Sequence, residues 1–397
     1  MRKAKIQTIQ PESSKLLIPA LALARYAPRG ATLVAGILMV EIGASFGTPV
    51  GITSQLGTIR SIVATISALT MGILSVRYSS RILLNMGIAI AMISALGCIF
   101  SSNFGMMFVS YTMGGIAWAM IYPMTIALVG DLFTLEKRAV VISWVAGIPA
   151  VITVFGAPII GYIGEWRHAF AIFVFPIALT SMILTLFSVP ETEGKVKDAD
   201  LLIGFKAVLS NKSAIACLVA QLMYSMAWIV IVMLSSSFLR QHHLVSTGLA
   251  SLSYSGFALA CFIGLRVGSK AVNMIGRKPS SVLLLAAFSF FSILFVLVPT
   301  ATLAIILGVT TSLFAGMFQT ALNALTMEQL PGIRGSLMSL SSACARIGSA
   351  LCTGIGGVIL LTYGWLAMGS LFGIIGLLAS LLLFNFATDP TISSCSG

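Results

Sequence analysis

The sequence predicts an all-helical membrane protein with twelve transmembrane helices in two pseudo-symmetric six-helix bundles. Of its 397 residues, 58% are hydrophobic and 9% are charged, whereas about a quarter of the residues in a soluble globular protein are charged. The apolar residues form long runs of about 20, the length at which a helix crosses ~30 Å of hydrocarbon. The runs lack the alternation of barrel strands, and lipid does not tolerate open sheet edges.

The runs end where turn-forming residues make a break inexpensive. These breaks are Tyr78-Ser79-Ser80, Ser101-Ser102-Asn103, Pro299-Thr300 and Pro331-Gly332. Because several breaks are only a few residues long, neighbouring helices are expected to be antiparallel. The predicted spans are residues 30–51, 58–76, 82–101, 104–130, 139–163, 167–189, 213–236, 247–267, 279–299, 301–327, 336–361 and 364–386.

The distribution of lysine and arginine predicts the orientation. With the N-terminus in the cytoplasm, nineteen of the 23 basic residues fall on the cytoplasmic side, in agreement with the positive-inside rule. The exceptions are Arg60, Arg167 and Arg240 on the far side and Arg346 within a span. We therefore expect a multi-pass plasma-membrane protein with both termini cytoplasmic. The basic residues are dispersed over short loops without aromatic interleaving, which argues against a nucleic-acid partner despite the net charge of +12.

Similar loop sequences recur in the two halves of the chain. Asp131 to Arg138 follows the fourth span as Glu328 to Arg334 follows the tenth, and the loops after the second and eighth spans also correspond. Such parallel repeats place a binding site between two bundles. The predicted organisation is a cytoplasmic N-terminal segment (1–29), an N-terminal six-helix bundle (30–189), a cytoplasmic linker (190–212), a C-terminal six-helix bundle (213–386) and a C-terminal tail (387–397).

The loops after the second and eighth spans resemble the G-x-x-x-D-R-x-G-R-K motif of the major facilitator superfamily. The first copy keeps Gly72, Arg77 and Arg81 but has Val76 in place of the acid, and the second has Asn273 there. This resemblance covers nearly the whole chain and implies the major facilitator fold. The gating residues that it implies on the cytoplasmic face are Gly72, Arg77, Arg81, Asp131, Arg138, Asn273, Gly276, Arg277, Lys278, Glu328 and Arg334.

The fifth span resembles the G-P-x-x-G-G signature of the superfamily's drug:proton antiporter branch. It retains Pro158 and Gly161 of that signature, although close helix packing in lipid favours the same residues. The arginine that this branch carries on its fourth helix is replaced here by Ser110. The usual arrangement for proton antiport is thus incomplete.

Two ionisable residues are predicted near the middle of spans, where charge is costly and usually functional. Glu41 in the first span could exchange protons or pair with a cationic solute, or it could hold its helix against a neighbour. Arg346 in the eleventh span requires an anionic partner, such as Glu41 or the solute, or it could reach the interface. Other polar and aromatic residues share single helix faces and could orient a solute, with packing as the alternative: Trp118, Tyr122, Gln221, Tyr224, Trp228, Gln319 and Asn323.

The function predicted from these features is secondary transport of a small organic solute by alternating access. The sequence contains no phosphate-binding loop and no catalytic cluster, so we expect neither an enzyme nor a cofactor or metal site. Transport would be coupled to protons or another ion, with efflux as one direction, in a monomer within the lipid bilayer. The alternatives are a uniporter or symporter for an organic anion or metabolite, and a channel or receptor.

Overall fold

A computed structural model describes residues 13–133, 135–190, 208, 210–330 and 334–389, and this part of the chain is helical without strands. Two π-helical turns, Phe170–Val174 and Val230–Leu234, each connect one α-helix directly to the next. The helices are α1 Ser13–Ile37, α2 Met39–Ser45, α3 Val50–Thr53, α4 Gln55–Arg77, α5 Ser80–Ile99, α6 Phe104–Leu132, α7 Leu135–Ile163, α8 Trp166–Ala169, α9 Phe175–Ser188, α10 Lys212–Ile229, α11 Ser235–Gln241, α12 Thr247–Ile275, α13 Arg277–Leu297, α14 Ala301–Gln329 and α15 Arg334–Phe386.

The all-helical membrane fold is confirmed, and each predicted span overlaps a helix of the structure. Among the described residues, 8 helices are long and apolar enough to cross a membrane, or 9 if the bent pair α1 and α2 forms one span. Helix α15 is counted once there, although Gly364 interrupts it with φ 77° and ψ −172°. This left-handed backbone favours glycine, and it divides α15 between the predicted eleventh and twelfth spans.

Polar residues at the predicted breaks cap the helices that follow. The side chain of Ser79 accepts a hydrogen bond from Ile82 N, and Asn103 Oδ1 accepts one from Met106 N at 2.8 Å. These bonds satisfy amide groups that the first turn of a helix leaves unpaired. A third break lies between α13 and α14, at residues 298–300, and the predicted Pro331-Gly332 break lies outside the described residues.

The first helix differs from its predicted span. It begins at Ser13 rather than at residue 30, and it bends by 75° at Leu38. The apolar run from Leu16 to Ala24 is thus part of a helix that continues through Arg25 and Arg29. These two arginines, expected in a cytoplasmic segment, lie within α1, and Glu41 lies beyond the bend.

Two compact units can be distinguished from the contacts within the chain. Among the described residues, the first contains 13–32, 66–153 and 167–190, and the second contains 33–65, 154–166 and the rest from 208 onwards. The first unit has one continuous apolar core, to which Leu21, Ile88, Ala117 and Leu128 contribute fully buried side chains. The second unit has a larger apolar cluster, which includes Phe238, Phe257 and Phe295, and a smaller one around Leu337.

Helices α12 and α14 of the second unit pack with their backbones in close approach. A methyl group at Gly264 would overlap the carbonyl oxygen of Leu313, and one at Gly316 would overlap that of Cys261. Small residues permit such contacts, which are the main source of helix association where lipid removes the hydrophobic driving force. A methyl group at Gly256, on the same helix α12, would make only an ordinary contact, 3.6 Å from Val309 Cγ2.

We predict that Gly264→Ala lowers the melting temperature of the purified protein in detergent, because the added methyl group forces α12 away from α14. Overpacking of this kind costs about 1–3 kcal/mol. Gly256→Ala is the matched control and should be neutral or stabilising, since its methyl group meets no backbone atom. Equal melting temperatures for the two variants, measured by thermal unfolding, would contradict the packing described here.

Candidate functional site

An ion pair joins Glu41 of α2 to Arg240 of α11 within the second unit. Arg240 donates from Nη1 to Glu41 Oε2 at 2.6 Å, and its Nη2 atom lies 2.6 Å from Oε1. This two-point geometry is the strong form of the arginine–carboxylate interaction. The side chain of Glu41 is 22% exposed and that of Arg240 is 15% exposed. The hydroxyl group of Thr247 lies 3.5 Å from Glu41 Oε1.

The bend at Leu38 and the π-helical turn of residues 230–234 position this pair. Gly36 lies against the π-helical turn, where a methyl group would stand 3.1 Å from the carbonyl oxygen of Val232. One turn later, Ser236 Oγ donates to the carbonyl oxygen of Ile37 at 3.1 Å. The end of α1 is thereby fixed to α11, and the bend directs α2 so that Glu41 meets Arg240.

This geometry corrects the expected position of Glu41. The prediction placed Glu41 at mid-depth of the first span, but the long helix ends at Ile37 and Glu41 lies beyond its bend. Its partner Arg240 had been assigned to an external loop, and it lies in the last turn of α11. Arg346, the candidate partner from sequence, lies in α15 with a partly buried side chain.

Further contacts hold the segment 33–65 to the C-terminal helices. Gln55 Nε2 donates to Gly354 O at 3.1 Å, and Thr58 Oγ1 donates to Thr353 Oγ1 at 2.9 Å. Gly51 fits closely against α15, because a methyl group there would come within 2.6 Å of the carbonyl oxygen of Gly357. The start of α4 and the short helix before it are thus held against α15 by side-chain hydrogen bonds and by the close approach of small residues.

The end of α7 makes the same kind of contact with α12. Ser255 Oγ donates to the carbonyl oxygen of Val154 at 2.7 Å, and a methyl group at Gly161 would overlap the side chain of Ser251. Nearby, Trp166 Nε1 donates to Ser45 Oγ at 2.9 Å. The ends of the first, second and fifth predicted spans, which the orientation predicted from the sequence would place outside, are therefore packed on C-terminal helices.

The predicted pair Trp118 and Tyr122 lies in α6, in the first unit, beside two arginines that the sequence analysis did not select. The rings stack with centroids 5.6 Å apart and an interplanar angle of 17°. Arg25 Cζ lies 4.1 Å from the centre of the Tyr122 ring, and Arg29 Cζ lies 5.3 Å from that of Trp118. The i, i+4 spacing of Arg25 and Arg29 matches that of the rings, a signal that was available in the sequence.

The predicted polar residues of α10 and α14 meet within the second unit. Gln319 Nε2 donates to Gln221 Oε1 at 3.2 Å and to Asn323 Oδ1 at 3.1 Å. Gln221 in turn donates to Ser225 Oγ at 3.1 Å. These side chains form a connected hydrogen-bond network across two helices, and the contact between Gln221 and Gln319 was not predicted from their spacing in the sequence.

The aromatic members of α10 have packing contacts. The buried Tyr224 donates its hydroxyl group to Ala315 O at 3.2 Å, and its ring stacks on Trp228 at 6.4 Å with an interplanar angle of 9°. The ring of Phe318 meets Tyr224 edge-on at 4.7 Å. Tyr224 is consequently satisfied without a ligand, whereas Trp228 retains partly exposed surface.

The second copy of the loop motif obtains its acid from another part of the chain. Arg277 Nη1 lies 3.9 Å from Asp389 Oδ1, and Asp389 is only 4% exposed. A cleft of about 390 Å³ lies here, lined by Asn273, Gly276 and Thr320 as well as by this pair. Asp389 follows α15, far from the motif, so the sequence pattern around Asn273 could not reveal it.

The other predicted gating residues lie at helix ends. Arg81 Nη2 donates to the carbonyl oxygen of Leu186 at 2.8 Å, and Lys278 Nζ lies 5.7 Å from the ring centre of Phe384. Asp131 and Glu328 lie in the last turns of α6 and α14. The remaining members occupy helical positions, but their side chains lie outside the described part: Gly72, Arg77, Arg138 and Arg334.

Two histidines follow Arg240 in the loop before α12. His242 stacks on Phe238 at 5.2 Å, and the rings of His242 and His243 are 4.9 Å apart. Partial burial and the neighbouring His242 lower the pKa of His243. Within the part of the chain that the structure describes, no three His, Cys, Asp or Glu side chains are grouped so that they could hold a metal ion.

Comparison with known proteins identifies the family. The Major Facilitator Superfamily profile matches residues 27–244 and residues 216–394. An uncharacterized MFS-type transporter of Bacillus subtilis (strain 168), YwfA, is 26% identical over 161 residues, which cover 40% of this chain and 39% of that protein. The match thus spans less than half of that relative.

Solved structures share the fold across almost the whole chain. A D-xylose-proton symporter superposes with a TM-score of 0.80 at 14% identity, over 95% of this chain and 98% of that one. A bacterial homologue of the human lysosomal transporter Spinster, in an inward-facing, unoccupied conformation, superposes with a TM-score of 0.76 at 14% identity, over 96% of this chain and 100% of that one. At this identity the likeness shows the fold alone. With a family profile that covers most of its length, this multi-pass membrane protein belongs to the Major Facilitator Superfamily.

Proposed function

We propose that this protein moves a small organic solute by alternating access, and that the Glu41–Arg240 ion pair fastens its external end in the closed state. The pair is the observation that carries the proposal. It joins the segment after α1 to the end of α11, and neighbouring contacts bind α4 to α15 and α7 to α12. For a solute to pass, all of these contacts must part.

The chemistry of these contacts suits reversible opening. Apart from the ion pair, they consist of single hydrogen bonds and small-residue contacts, each of modest net energy, about 0.5–1.5 kcal/mol per bond. A two-state element must have states within a few kcal/mol of each other to be shifted by a ligand. Contacts of this size can be broken together when an ion or a solute favours the open form.

Coupling to protons follows from the carboxylate. Protonation of Glu41 removes its charge and thereby weakens its attraction to Arg240, which favours opening. In this proposal the proton binds to Glu41 from the external side, stays bound while the external end closes, and is released to the cytoplasmic side as the carboxylate pairs with Arg240 again. Exchange of the solute for the proton gives efflux, as expected from the resemblance to antiporters.

A second form, uptake of an organic anion with the proton, is favoured by one observation. Arg25 and Arg29 of α1 lie over the rings of Tyr122 and Trp118 of α6, and this pair of cations is suited to an anionic solute. In both forms the protein works as a monomer in the plasma membrane with both termini in the cytoplasm. The loop residues from Gly72 to Arg81 and from Asn273 to Lys278 are proposed to form the latch at the cytoplasmic end.

Glu41→Gln should abolish transport driven by a pH gradient in proteoliposomes while the purified protein remains folded. Glutamine neither titrates nor forms the ion pair, so a pH gradient has no group to act on.

The solute for this assay is a compound that raises the melting temperature in a screen of organic cations, anions, sugars and amino acids, because ligand binding stabilises the folded form. His242→Asn is the control for the neighbouring titratable groups and should retain the response. A Glu41→Gln protein with normal pH-driven transport would remove Glu41 from the mechanism.

The charge reversal Glu41→Arg with Arg240→Glu should restore part of the stability that either single change removes. Each single variant places two groups of like charge at a partly buried site, and we expect it to lower the free energy of unfolding by about 1–3 kcal/mol. Thermal unfolding of the four proteins gives the coupling energy directly. Additive effects of the two changes would show that the pair does not interact.

A disulfide between Thr58→Cys and Thr353→Cys should stop transport, because it fixes α4 to α15 at the external end. The native hydroxyl oxygens are 2.9 Å apart, close enough for the two sulfur atoms to bond after small adjustments. The pair is made in a background in which the six native cysteines are replaced by serine. Oxidation should inhibit transport and a reducing agent should restore it, whereas each single-cysteine protein should be insensitive. Full activity of the oxidised, cross-linked protein would contradict the proposed opening.

A further inference from the structure

The arginines Arg25 and Arg29 lie one helical turn apart in the interior of α1. Neither position is at a helix end, because α1 runs from Ser13 to Ile37. Arg25 is only 8% exposed, so its guanidinium group does not extend along the helix to water. An arginine at such a depth requires compensation for the solvation that it has lost.

The compensation that the described residues supply is partial. The ring of Tyr122 lies under Arg25 and the ring of Trp118 under Arg29, an arrangement that attracts a cation through the electron density of the ring face. However, Arg25 Nη1 is buried without a hydrogen-bond partner among the described residues. Within the same part of the chain, no carboxylate forms an ion pair with either arginine.

A donor left unpaired in an apolar surrounding indicates a missing acceptor. The buried residues on the same helices include the apolar side chains of Ala24, Met120 and Met124. The acceptor would thus be an anion that enters with its own apolar body. A guanidinium group presents parallel N–H donors whose geometry fits a carboxylate.

The aromatic side of the site remains open to a ligand. Tyr122 is 36% exposed, and Trp118 is partly exposed. Their stacked rings therefore offer a flat apolar wall beside the two cations. A planar organic acid would meet charge at one end and aromatic surface along its body.

We infer that Arg25 and Arg29, with Trp118 and Tyr122, form a binding site for the carboxylate of the transported solute, an organic acid with an apolar body. This inference rests on the proposed transport function and specifies the substrate class. Arg25 is the principal anion ligand because it is buried with an unpaired donor, and Arg29 adds a second positive charge. The two rings hold the guanidinium groups in place and contact the body of the solute.

The test is binding of matched acids, amides and amines to the purified full-length protein in detergent. The probes are benzoate, octanoate and nicotinate, with benzamide, octanamide, nicotinamide and benzylamine as uncharged or cationic counterparts. At least one carboxylate should raise the melting temperature in a concentration-dependent manner and change the tryptophan fluorescence, and its counterparts should not. A larger shift with benzylamine, or no shift with any carboxylate, would overturn the inference.

Arg25→Gln should weaken binding of the active carboxylate at least tenfold, while Arg25→Lys, which keeps the charge without the planar donors, should weaken it less. Removal of an unpaired buried charge should not unfold the protein, and Arg29→Gln provides a second variant if Arg25→Gln is poorly expressed. The matched control is Arg266→Gln, since Arg266 also lies over a ring, 5.6 Å from the centre of Phe262, but on another helix. Unchanged binding in both Arg25→Gln and Arg29→Gln would overturn the inference.

Transport measurements separate this inference from the function on which it rests. If the cross-link between residues 58 and 353 stops transport of a neutral or cationic solute and carboxylates do not bind, the alternating-access proposal stands and the anion site is wrong. If carboxylates bind through Arg25 but no solute is ever exchanged in proteoliposomes, the binding site stands and the transport mechanism is wrong.

Discussion

The need to compensate every charge that is withdrawn from water determines how this structure is organised. Hydrocarbon cannot solvate ions, so a buried guanidinium or carboxylate group needs a partner from the protein or from a ligand. Arg240 has that partner in Glu41. Arg25 has an aromatic ring and one donor without an acceptor. We propose that the first arrangement, which is complete as it stands, is a closing contact, and that the second is a binding site that a solute completes.

Much of the fold could be predicted from the sequence, because membrane helices must satisfy their own backbone groups and must span a fixed thickness. Long apolar runs and turn residues such as Ser79 and Asn103 were sufficient to place most helices. The shared helix face of Gln319 and Asn323 could also be anticipated, since residues three or four apart lie on one side of a helix. These features depend on local sequence, and local sequence contains the required information.

The parts that were missed depend on contacts between distant positions. Arg25 and Arg29 resembled a cytoplasmic flank by the positive-inside rule, and only the rings of α6 explain why a helix can contain them. The depth of Glu41 depended on where the first helix begins, and that error followed from the same two arginines. Asp389 completes a loop motif more than a hundred residues away, so no local pattern contained it. Charges within helices are thus the features that sequence reading assigns least well.

Opening at the external end is the movement on which the transport account depends, and a distance measurement tests it most directly. Spin labels at Ala44→Cys in α2 and Gln241→Cys in α11, both exposed positions, report the separation on either side of the Glu41–Arg240 pair. In lipid nanodiscs, pulsed electron resonance should give one short distance at alkaline pH. A second, longer distance should grow as the pH falls, and Glu41→Gln should make the distribution independent of pH. A single short distance under all conditions, including saturating solute, would contradict the account.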